Sequence, residues 1–186
     1  MALLEDQLGE VVHLTYGPGA TITRLNKGLR RRKKRTLYGF WIDPVSGAWA
    51  KTEDDDDQSD PTASPRQRIV PMVSDQKNAL LLRPSEQGLD ERTLATLQHA
   101  LLRGIEAVFQ LEESEIFAEP MPTRDNRLGL LFYEASEGGA GVLGRLVDPS
   151  ENQLALVARR ALEIMHFEID PAALPSSPEA LRDKPD

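Results

Sequence analysis

Leu128-Gly129-Leu130-Leu131-Phe132-Tyr133-Glu134-Ala135-Ser136-Glu137-Gly138-Gly139-Ala140-Gly141-Val142-Leu143 joins an apolar run, a glycine-rich turn and the start of a second apolar stretch. The run Leu128–Tyr133 is too short for a typical helix, so it predicts a buried strand. Ser136 to Gly141 supplies the punctuation of a turn. Val142, Leu143, Leu146 and Val147 then predict a helix. Strand, turn and helix in that order call for an α+β fold in which helices pack on a short sheet.

On the N-terminal side of this stretch the period is helical. Leu94, Leu97, Leu101, Ile105 and Val108 recur at three- and four-residue steps, which predicts a helix from about Asp90 to Gln110 with Asp90 as its N-cap. On the C-terminal side, Leu154, Val157, Ala158, Ala161, Leu162 and Met165 share one face of a helix starting at Pro149 or Ser150. Residues 168–186 are proline-rich and charged and read as a frayed tail.

The front of the chain reads as a β meander. Val11–Tyr16 is β-rich and runs into Gly17-Pro18-Gly19, a strong turn signal. Ala20–Leu25 alternates as a half-buried strand does. Tyr38–Ile42 and Ala48–Ala50 flank Asp43-Pro44-Val45-Ser46-Gly47, the pattern of a hairpin with a five-residue loop. Two more strands are expected at Arg68–Val73 and Ala79–Leu82, with Pro71 at an edge or strand end. Residues 52–68 are acids, Ser, Thr, Pro and Gln, too polar to offset their ordering entropy, and read as a disordered linker. The division expected is therefore a β-rich part over 1–51, the linker over 52–68, an α+β domain over 69–167 and the tail.

Composition narrows the functional classes. The 186 residues include no cysteine, which excludes disulfides, thiol catalysis and cysteine-ligated zinc on this chain. The acidic start Met1–Asp6 lacks the pattern of a signal peptide, and no apolar run approaches the roughly 18 residues of a membrane span, so a cytoplasmic protein is expected. The net charge of −8 argues against a general nucleic-acid binder, but it averages over two opposed clusters. Arg30, Arg31, Arg32, Lys33, Lys34 and Arg35 are six consecutive cations, and Glu53 to Asp57 are five consecutive acids. The basic run is the candidate nucleic-acid contact, because it can neutralise successive phosphates and release their counterions. Tyr38, Phe40 and Trp41 follow as a candidate stacking face. A solvated loop, with those rings turned into a small core, is the plainer reading.

Gly138, Gly139, Ala140 and Gly141 admit two readings. Bare N–H groups at a helix start form an anion site. Alternatively, glycines simply permit positive φ and close packing, and Glu134 and Glu137 beside the turn disfavour a phosphate. His13, His99 and His166 lack metal-ligand spacing, so no metal site or cofactor is expected. Glu112, Glu113, Glu115 and Glu119 read as a solvated acidic surface, and no catalytic triad is present.

Three blocks taken together carry a family resemblance. They are Leu97–Ile105, then Leu131–Ala135 running into Gly138–Leu143, then Ala158–Glu163. Over roughly 69–167 the chain resembles the MrfA-type zinc-binding (MZB) domain found in C-terminal regions of bacterial superfamily 2 helicases. It is similar also to the version in helicase-like proteins of DISARM-like phage defence. The resemblance implies a cysteine cluster holding zinc after the last helix, where this sequence has Pro171-Ala172-Ala173-Leu174-Pro175. It carries no G-x-x-x-x-G-K-[ST] and no DExH-like box. What is implied is a non-catalytic accessory module, with a helicase or translocase as partner and DNA as a further contact. The rival expectation is an independent small enzyme, or an anion- or nucleotide-binding protein, built on the Gly138–Gly141 turn.

Overall fold

A computed structural model describes residues 2–6, 9–29, 36–49, 66–85, 90–148, 150–168 and 182–183. The basic run Arg30–Arg35, nearly all of the 52–68 stretch and most of the tail lie outside the described residues. The fold is α+β, with elements in the order β1 (Ala2–Asp6), β2 (Gly9–Leu25), β3 (Phe40–Ile42), β4 (Gln67–Ile69), β5 (Met72–Pro84), α1 (Glu91–Phe109), β6 (Ile116–Thr123), β7 (Asn126–Glu134), α2 (Val142–Leu146), α3 (Gln153–Ile164), β8 (Phe167–Glu168) and β9 (Arg182–Asp183). Two compact units form: Met1–Ala20 with Gln76–Asp186, and Thr21–Asp75. The compositional boundaries at 51/52 and 68/69 both fall inside the second unit.

The main sheet has the strand order β1-β2-β5-β7-β6. Its central antiparallel pairing sets Leu80 opposite Phe132 and Leu82 opposite Leu130, while Ala118 and Ile116 of β6 face Phe132 and Glu134. These residues share one face because side chains alternate along a strand. Against that face α1 and α2 supply Leu101, Ile105, Val142, Leu143 and Leu146, and α3 supplies Val157. Leu130, Leu143 and Val157 are fully buried, so the glycine turn delivers its helix directly into the core.

Helix α1 follows its apolar stripe closely, and Asp90 caps it by accepting from the Thr93 amide at 2.7 Å. The Thr93 hydroxyl and amide hold the Asp90 carboxyl below its ordinary pKa. Helix α3 starts at Gln153, later than the expected Pro149 or Ser150. Asp148 instead closes a turn, accepting from both the amide and the hydroxyl of Ser150.

One expectation needs correction, and one strand was not predicted. Gly17-Pro18-Gly19 does not reverse the chain, and β2 runs through it. Gly19 takes a φ of 61° and its N–H is taken up by the Asn78 side chain, so the turn chemistry is spent on a local irregularity. Residues 116–123, for which the sequence predicts no element, form strand β6, while Glu112, Glu113, Glu115 and Glu119 are exposed as expected. Ile116 and Ala118 point inward while Phe117 and Glu119 point out. Pro120 and Pro122 mask that alternation in the sequence, and both are tolerated because β6 is the sheet edge.

The second unit contains the outer ends of β2 and β5 together with the β3–β4 pair. Asn26 donates to the Pro71 carbonyl at 2.8 Å, and the Thr23 and Ser74 hydroxyls lie 2.8 Å apart. The expected hairpin is reduced to a single bridge between Ile42 and Trp49, closed by Asp43, which accepts from Val45, Ser46 and the Ser46 hydroxyl.

Candidate functional site

Strand β7 ends on Glu134, which register places opposite Ile116 on the helix-facing side of the sheet. It is only 2% exposed. A buried carboxylate must find donors, and this one finds three. Its Oε2 accepts from the Gly141 amide at 3.0 Å and from Asn78 Nδ2 at 3.1 Å, and its Oε1 accepts from the Leu143 amide at 3.1 Å. Asn78 Nδ2 donates further to the Gly138 carbonyl at 3.0 Å, while its Oδ1 takes the Gly19 amide. The neighbouring Lys77 ammonium donates to the Ala135 carbonyl. One acid and one amide thus tie β2, β5, β7 and the start of α2 together.

The glycines of the turn are needed for this geometry. Gly138, Gly139 and Gly141 have φ of 76°, 48° and 73°, a region costly for residues with a Cβ. A Cβ on Gly139 would also sit inside the van der Waals envelope of the Glu134 carboxyl. Tyr16 lies against Gly144, and burial, then the Glu134 charge, push its hydroxyl pKa upward.

Of the expected sites, Gly138, Gly139, Ala140 and Gly141 therefore surround a carboxylate of the chain itself. The Gly141 and Leu143 amides, which an incoming anion would need, are bonded to it. The glycine cluster and the acid beside it were legible in the sequence; the tie of that acid to Asn78 was not, because the two lie 56 residues apart. The local signal for Glu134 was an acid directly following a buried-strand pattern. Arg30, Arg31, Arg32, Lys33, Lys34 and Arg35 lie outside the described residues. His99 and His166 are exposed and His13 is half-buried. Among the described residues no three His, Cys, Asp or Glu side chains cluster to hold a metal.

The aromatic residues after the basic run are distributed differently from the expected stacking face. Phe40 packs edge-on to Trp49 with ring centroids 5.4 Å apart. The Arg68 guanidinium lies 5.3 Å over Trp41 and also donates to the Leu37 and Tyr38 carbonyls. The Lys27 ammonium lies 5.3 Å over the Tyr38 ring. Tyr38 and Trp49 are the outward rings, at 47% and 50% exposed.

Residues 97–168 match the family model described as the MrfA Zn-binding domain. That span runs from within α1 to β8 and includes all three blocks of the resemblance. Comparison with curated proteins and with solved structures finds no match. The residues present do not fit the zinc of the family name, since the 186 residues contain no cysteine. Among the described residues no helix is long and apolar enough to cross a membrane.

Proposed function

We propose, from the premise that residues 97–168 form a domain of the MrfA Zn-binding family, that this chain is a non-catalytic accessory module of a DNA helicase or translocase. It acts through protein contacts and through phosphate contacts made by Arg30–Arg35, and phage defence is one setting the resemblance suggests. The carrying observation is the Glu134 clamp. The most site-like turn in the sequence has its amides bonded to the chain's own buried carboxylate. This favours a structural domain over an anion-binding or nucleotide-binding enzyme.

The phosphate contact is tested by changing Arg30, Arg31, Arg32, Lys33, Lys34 and Arg35 together to Gln. If all six neutralise duplex phosphates, the slope of log affinity against log salt for the wild-type chain approaches about −5. The Gln variant is expected to lose most of its affinity and most of that slope, with an unchanged circular dichroism spectrum. Unaltered affinity in a folded variant would refute the contact and leave protein partners alone.

A further inference from the structure

The second unit has an unusual economy of apolar side chains. Among its described residues no apolar side chain is buried, and the one buried position is Gly39. Phe40, Trp41, Ile42 and Ile69 are half-buried, and Tyr38 and Trp49 are about half exposed. In the first unit Phe132 and Tyr133 are 1% and 5% exposed, so the chain buries rings where it builds a core. The second unit holds both tryptophans of the chain and leaves them at or near its surface.

Charge separates the two units in the same way. Residues 21–75 carry 11 Lys and Arg against 8 Asp and Glu, whereas the remaining residues carry 11 against 22. The acidic chain therefore concentrates its positive balance in the unit with the exposed rings. Within it, Lys27 stands over Tyr38 and Arg68 over Trp41, placing cations directly beside aromatic faces. Aromatic faces beside cations are what a single strand requires, with bases stacking on rings and phosphates passing near positive charge. A duplex hides its base faces in the stack and reads only the charge.

We infer that the described part of the unit 21–75 is a stacking surface for single-stranded nucleic acid, with Tyr38 and Trp49 receiving bases, and with Lys27 over Tyr38 and Arg68 over Trp41 supplying positive charge to the strand. The inference rests on the nucleic-acid part of the proposed function and adds to it the kind of strand and the residues that distinguish it.

Because Trp41 and Trp49 are the only tryptophans, fluorescence excited at the red edge, where tryptophan absorbs and tyrosine does not, reports on this unit alone. The probe is an oligothymidylate of about 20 nucleotides, longer than the roughly 4–16 nucleotides such surfaces occupy, titrated at low salt beside a duplex of the same length. Expected are quenching by the single strand and a preference of about tenfold over the duplex. Trp49→Ala is expected to weaken single-strand binding about tenfold, the loss that one stacked base produces. Trp49→Phe, which keeps a ring, is expected to stay within about threefold of wild type, again on the scale of stacking energies. Equal affinity for single strand and duplex, or full affinity in Trp49→Ala, would overturn the inference. So would an absence of binding by either probe, which is the outcome for a surface that docks a protein. The Gln variant of Arg30–Arg35 separates this failure from that of the basic-run reading. Parallel loss on both probes with the preference intact upholds both ideas, whereas undiminished affinity with the preference intact removes the basic run and leaves the stacking surface standing.

Discussion

Replacing Glu134 with alanine is expected to destabilise the first unit by about 3 kcal/mol. The substitution strips the acceptor from the Gly141 and Leu143 amides and from Asn78 Nδ2, all at or beside a carboxylate that is 2% exposed. Each buried donor left unpaired costs about 1–3 kcal/mol, and water reaching the exposed turn recovers part of that total. A melting temperature lower by roughly 6–12 °C is the corresponding shift for a chain of this size. Glu134→Gln recovers part of the loss, because its single carbonyl oxygen still accepts. Thermal or urea unfolding checks this, and an alanine variant within about 0.5 kcal/mol of wild type, the range of an ordinary surface change, would show that the clamp contributes nothing.

The second large effect reverses a common rule. Glycine inside a helix normally costs about 1 kcal/mol relative to alanine, so Gly104→Ala in α1 would ordinarily stabilise. Here a Cβ on Gly104 would lie 2.6 Å from the Val157 carbonyl oxygen and 3.2 Å from Ala161 Cβ, where α1 meets α3. Neither a carbonyl of α3 nor the fully buried Val157 beside it has room to retreat. Overpacking of this kind costs about 1–3 kcal/mol or more, and a net loss of about 2 kcal/mol is expected despite the better propensity. Urea denaturation decides the sign. A more stable Gly104→Ala variant would mean that the helices are held apart by something other than this contact.

Gly104 and Glu134 illustrate what the sequence discloses and what it withholds. Helix α1 was legible from Leu94, Leu97, Leu101 and Ile105, and β7 and α2 from the apolar runs on either side of the glycines, because periodicity is a local property. Close approach is not local. Nothing near Gly104 announces Val157, and nothing near Glu134 announces Asn78. Strand β6 was missed because Pro120 and Pro122 contradict strand propensity, which an edge position excuses only once the sheet order is known. The same holds for Gly19, whose turn signal is cancelled by a side chain 59 residues away. The candidate interface was legible as a cluster of cations and rings. Which rings face outward was not, because Phe40 is engaged by Trp49 and Trp41 by Arg68 through pairings formed only in the fold.

Under the proposed function, this chain contributes contacts and no chemistry of its own. Steady-state ATP hydrolysis by the purified chain, with and without single-stranded DNA, measures this most directly, since a motor needs groups to cradle the β- and γ-phosphates and Mg²⁺. No turnover that scales with the concentration of this protein is expected. Turnover that survives rigorous purification, scales with this chain and rises with DNA would contradict it.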